Sequence, residues 1–187
     1  MKRNKQSQAG FTLIEMMIVV AVTVILAGMA VPVSKGFLKS LKADGSLGAT
    51  FDVLTQARDQ AVAQRRNFEL EFNGTNRLKV WRIEVPTGYR TQILSIPLDN
   101  GQQFQKFATL PDTPDAFGNA NAIQFSGTGP WMFTSDGTLI DSNGDVSNGT
   151  VFLGVPSDIL TARAVTVFGA TGLMRTWRWR GTKWFSN

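Results

Sequence analysis

The chain has 187 residues, 43% hydrophobic and 18% charged, with a formal net charge of +5; this is an ordinary globular composition that suggests neither disorder nor a multi-span membrane protein. It contains no cysteine and no histidine, which excludes disulfides, thiolate metal sites, cysteine nucleophiles and the commonest general base. Its basicity sits at the two ends: Lys2, Arg3 and Lys5 at the start, Arg163, Arg175, Arg178, Arg180 and Lys183 near the finish, while the remainder sums to −3.

After the basic start, residues 11–34 read FTLIEMMIVVAVTVILAGMAVPVS, a 24-residue run with one charge that Lys35 closes. About 20 apolar residues span a bilayer, so the run is long enough. Cations before it and a larger polar region after it predict a cytoplasmic N-terminus and an exported body, facing the periplasm or cell exterior. A cleaved secretory signal is the alternative, with small residues at Ala27–Ala30 where a signal peptidase could cut. Two features oppose it. The run exceeds the roughly 7 to 15 residues of a signal core, and Glu15 lies near its start, where an unpaired carboxylate costs on the order of 2 to 3 kcal/mol. Glu15 therefore asks for a partner.

Gly10 followed by FTLIE and an apolar helix resembles the class III signal of type IV pilins and type II secretion pseudopilins. The resemblance implies cleavage by a prepilin peptidase between Gly10 and Phe11, N-methylation of Phe11, and pairing of Glu15 with the N-terminal amine of a neighbouring subunit. Pro32 removes a helical hydrogen bond and clashes with the carbonyl of Gly28, so the helix should kink or loosen there.

From residue 35 to 66 an apolar stripe recurs every three or four positions, at Phe37, Leu38, Leu41, Leu47, Phe51, Leu54, Ala57 and Ala61, and predicts a helix packed on a sheet. Gly36, Gly45 and Gly48 each weaken a helix by up to about 1 kcal/mol, so breaks or bends are expected before Ala49. At Leu54–Phe72, Ala57, Arg58 and Ala61 in a helix end that runs into an alternating strand resemble the minor pseudopilin H and FimT (GspH/FimT) family.

Beyond Asn67 the period becomes two. NFELEF, RLKVWRIEV, TQILSI, AIQF, PWMFT, TVFLGV, ARAVTVFG and MRTWRWR are candidate strands separated by Gly, Pro and Asp/Asn clusters. Strands after a helix, with no helices between them, indicate an α+β body with antiparallel sheets. Phe133–Leu139 carries an Asp-Gly hairpin signal, and with VTVFGATGLMR it extends the pseudopilin H resemblance. Pro111–Asn121, with two prolines, reads as an exposed loop. The organisation expected is a leader at 1–10, a membrane helix at 11–34, an amphipathic helix at 35–66 and a β-rich periplasmic domain at 67–187, together the pilin-like fold.

Asp141, Asn143 and Asp145 alternate as calcium ligands can, but Val146 and Phe152 occupy the places where the twelve-residue calcium loop needs glycine and an acid, so an Asx-rich turn is the competing reading. In the tail, Trp177 and Trp179 should face one side of a strand and Arg178 and Arg180 the other. Either the tryptophans enter the core and the arginines meet solvent, or arginines and aromatics form a nucleic-acid surface of Arg175, Arg178, Arg180 and Lys183. FimT-type minor pilins carry a Gly-Arg-any-Arg motif here; Gly172 and Arg175 match its ends, and Leu173 replaces the first arginine.

No phosphate loop, nucleophile elbow or metal-ligand cluster is present, and Glu69 and Glu71 read as solvated carboxylates. The sequence thus points to a non-enzymatic, cofactor-free pseudopilin of the inner membrane. Its expected partners are related pilins and the prepilin peptidase. A type IV minor pilin (FimT/FimU-like), in pilus assembly or DNA uptake, is the alternative.

Overall fold

The computed structural model describes residues 10–99 and 101–186, and the side chains of residues 29–35 lie outside that description. Lys2, Arg3, Lys5 and the ring of Pro32 therefore fall outside it as well. One helix, α1 (Leu13–Gln64), runs unbroken for 52 residues. The breaks expected at Gly36, Gly45 and Gly48 do not occur. One glycine costs a helix only about 1 kcal/mol, and the helix is held around the last two by buried Ala43, Ser46, Leu47 and Thr50.

The chain divides into two compact units, Met1–Leu38 and Lys39–Asn187. In the first, the apolar side chains from Phe11 to Leu26 are exposed on every face of the helix. Among the described residues no helix is long and apolar enough to cross a membrane.

Among the described residues the second unit holds the rest of α1 and eleven strands. Five form one antiparallel sheet in the order β3–β2–β1–β6–β7: β1 (Phe68–Asn73), β2 (Arg77–Ile83), β3 (Arg90–Pro97), β6 (Trp131–Phe133) and β7 (Leu139–Ile140). The other sheet runs β11–β10–β9–β8–β4, with β5 also on β8: β4 (Gln103–Phe104), β5 (Ile123–Phe125), β8 (Gly149–Val155), β9 (Asp158–Phe168), β10 (Leu173–Trp179) and β11 (Trp184–Ser186). Every pairing is antiparallel, as the absence of helices between strands predicts.

Both sheets close on one face of α1. Leu47, Leu54, Ala57 and Ala61 pack with Phe68, Leu70, Leu78 and Val80 from the first sheet and Val151, Leu153, Val165 and Val167 from the second. The buried stripe starts at Ala43, so Phe37, Leu38 and Leu41, assigned to it from spacing, are instead exposed. The helix stops at a left-handed Arg65 (φ 52°), where Arg66 N–H donates to Ala61 O at 3.1 Å in the six-to-one closure of a Schellman motif.

The second sheet is buried on both faces, which explains the continuous burial of β9 from Thr161 to Val167. Its far face carries a smaller core of Phe152, Ala162, Ala164, Trp177, Trp179 and Trp184, covered by Phe107 and Leu110. The segment read as an exposed loop at Pro111–Asn121 is pinned over that face. Pro111 O accepts from Trp184 Nε1 at 3.0 Å, Asp115 accepts from Thr166 Oγ1 at 2.6 Å, and Phe117 stacks edge-on to Phe168. Glu69 and Glu71 are ion-paired rather than merely solvated, Glu69 with Arg90 and Glu71 with Lys79 at 3.2 Å. A hydrogen bond from Asn73 and the nearby Lys79 outweigh burial and lower the Glu71 pKa.

Candidate functional site

The N-terminal segment is built as a capped helix start. Thr12 precedes the first helical residue, and its hydroxyl accepts from Glu15 N–H at 3.3 Å while its carbonyl accepts from Met16 N–H. Thr12-x-x-Glu15 has the spacing of a capping box, and the helix dipole favours an acid in this first turn. Glu15 is nonetheless exposed among exposed Ile14, Met16 and Ile18. Gly10 and Phe11, the expected cleavage pair, lie open just ahead of the cap, with Phe11 79% exposed. A carboxylate ringed by unburied apolar side chains can be accommodated when both the hydrocarbon and the charge meet partners outside this chain.

The four tail cations do not form one surface. Alternation along β10 puts Arg175 on the side of buried Trp177 and Trp179 and Arg178 on the other, and Arg180 follows the strand's end. Arg175 pairs with Asp115 at 2.8 Å and lies over the Phe168 ring. Arg178 does not face solvent. It lies toward α1 and pairs with Asp44 at 3.0 Å, and the same carboxylate takes Arg163 Nε at 2.7 Å. Only Arg180 and Lys183 remain without an ion pair among the described residues, each 5.0 Å from the Phe185 ring centre.

Arg163 is 1% exposed and also donates to the carbonyls of Leu160 and Ala162 and to Ser40 Oγ. Burial lowers its pKa against the raising effect of Asp44, and a guanidinium keeps its charge regardless. Sequence reasoning missed this site. Asp44 and Arg163 are 119 positions apart, and the only signal was a cation inside an otherwise apolar strand.

The Asp141 carboxylate accepts the N–H groups of Asn143 (2.8 Å), Asp145 (3.0 Å) and Thr128 (3.3 Å), an Asx turn. Burial raises its pKa, but these donors together lower it by more, so the net shift is downward. Among the described residues no group of three acidic, histidine or cysteine side chains could hold a metal ion.

The three segments that resemble pseudopilin H meet at Arg58. Its Nη2 donates to Thr171 O at 3.2 Å, and its side chain packs where a Cβ on Gly137 or Gly172 would stand. Both glycines have positive φ, 86° and 62°, so the turns after β6 and β9 need glycine for backbone conformation and for clearance.

The backbone architecture matches known structures. The minor pseudopilin EpsH from the type 2 secretion system of Vibrio cholerae superposes with a TM-score of 0.50 at 14% identity, covering 73% of this chain and 97% of that one. The type IV minor pilin FimU of Pseudomonas aeruginosa gives a TM-score of 0.52 at 12% identity, covering 80% and 96%. The fold is that of a type IV pilin-like protein. Residues 5–31 of this pilin-like chain match the prokaryotic N-terminal methylation motif, which implies a membrane-anchored, prepilin-like protein. No curated protein sequence matches the chain.

Proposed function

We propose that this pilin-like chain is a minor pseudopilin of a type II secretion pseudopilus. It is cut between Gly10 and Phe11, methylated on Phe11 and anchored in the inner membrane by residues 11–34. It has its body in the periplasm and assembles with related pilins through that helix. The observation that carries the reading is the helix start: apolar side chains exposed on all faces around one capped acid, inside the methylation-motif match. Charge alone does not orient the segment, because Lys2, Arg3 and Lys5 on one flank are matched by Lys35, Lys39 and Lys42 on the other. The orientation follows from the resemblance to substrates cut on the cytoplasmic side.

The experiment is Glu15→Ala in the host. Processing should continue while co-purification with the other pilin-like subunits drops, and normal co-purification would remove the pairing role of Glu15. Deleting the gene separates the two machineries, since loss of secretion with intact pili supports the secretion assignment and loss of pili with intact secretion supports a type IV minor pilin.

A further inference from the structure

Contacts between α1 and the second sheet fix which end of the body adjoins its first helical residues. Thr55 Oγ1 meets Met174 Sδ at 3.7 Å, Asp44 meets Arg178 at 3.0 Å, and Lys39 meets Asp158 at 3.0 Å. The step from Met174 to Arg178 covers about 13 Å of strand, and that from Thr55 to Asp44 about 16 Å of helix, so β10 runs antiparallel to α1. The β10–β11 turn begins two residues past Arg178 and so lies at the level of Lys39 and Ser40. The β8–β9 turn reaches the same level through Asp158.

Lys39, Lys42, Arg180 and Lys183 are exposed at this end, with Leu160 (62% exposed) and a half-buried Phe185 between the cations. The carboxylates here, Asp44 and Asp158, are already held by Arg163 with Arg178 and by Lys39. Among the described residues the rim therefore exposes four cations, Lys39, Lys42, Arg180 and Lys183, and only Lys39 of these is ion-paired, with Asp158. Lys39 stands four positions past Lys35, so the chain keeps this rim within about 14 Å of the point where the apolar run closes.

We propose that this rim docks on anionic phospholipid headgroups at the surface of the membrane that residues 11–34 enter, a proposal that rests on that membrane reading. Each basic side chain brought to an anionic surface favours contact about fivefold, and salt screens the effect. Arg180 and Lys183 lie on the Phe185 ring, so their charge and an apolar aromatic face the same boundary.

The chain has no cysteine, so Thr182→Cys gives the full-length protein a single fluorophore site at the turn, and Ser135→Cys gives a control on the β6–β7 turn beside Arg58. Each protein is reconstituted into phosphatidylcholine vesicles with or without phosphatidylglycerol, and energy transfer to a headgroup acceptor is read. Transfer from position 182 should be about twofold higher with the anionic lipid. It should fall to the neutral-vesicle level at about 1 M salt or on adding Arg180→Glu with Lys183→Glu, while position 135 responds to neither. Equal transfer from position 182 in both vesicle types, or no effect of the charge reversals, overturns the proposal. A DNA mobility shift that the reversals abolish while transfer is unmoved assigns the rim to nucleic acid and also overturns it. Protein that fails to float with either vesicle overturns the membrane reading of 11–34, and the proposal with it.

Discussion

Asp44 shows what a single residue decides. One carboxylate pairs with both Arg163, which is almost fully buried, and Arg178, and so ties α1 to β9 and β10. Removing one partner of a buried ion pair leaves a charge unpaired, so Asp44→Ala should destabilise the protein by about 3–5 kcal/mol in denaturant unfolding. Asp136 makes a pH prediction. The Thr134 hydroxyl, with the backbone N–H and hydroxyl of Thr138, holds its carboxyl down to about 2 from 3.8. A group depressed in the folded state contributes stability above its unfolded pKa and loses it as pH falls toward the folded value. Wild-type stability should therefore drop between 3.8 and about 2 more than that of Asp136→Asn, measured by unfolding across that range. Arg65 holds a left-handed conformation that glycine adopts without strain, so Arg65→Gly should raise stability by up to about 1 kcal/mol in the same assay.

At the scale of elements, α1 separates packed from unpacked leucines that look alike in sequence. Leu54 is fully buried and Leu41 is 49% exposed. Leu54→Ala should cost about 2–5 kcal/mol and Leu41→Ala well under 1 kcal/mol, read from urea midpoints. Spacing placed both on one stripe, because periodicity reports which face is apolar and not where the sheets begin to cover it. Strands down to the three-residue β5 and β6 were legible from their short apolar runs, whereas β4 and β7 have only two residues and leave too little pattern to detect. The Asp-Gly hairpin after β6 was legible because its turn demands glycine at Gly137. The pinned segment at Pro111–Asn121 was not, since its hold comes from Trp184, Thr166 and Phe168, far away in sequence.

For the whole molecule, composition already argued against catalysis, and the N-terminal motif carried the main functional message before any contact was known. The tail's chemistry was the part that local reading misjudged. Alternation gave the faces correctly, but only the fold shows that Arg175 and Arg178 meet Asp115 and Asp44. Glu15 joins the scales: a capped first-turn acid, on a helix apolar all round, in a chain whose body has its own core. If this segment is a processed pilin-type anchor, mass spectrometry of the mature protein purified from host membranes should find a chain beginning at N-methylated Phe11. A chain beginning at Val31 would instead mean a cleaved secretory signal.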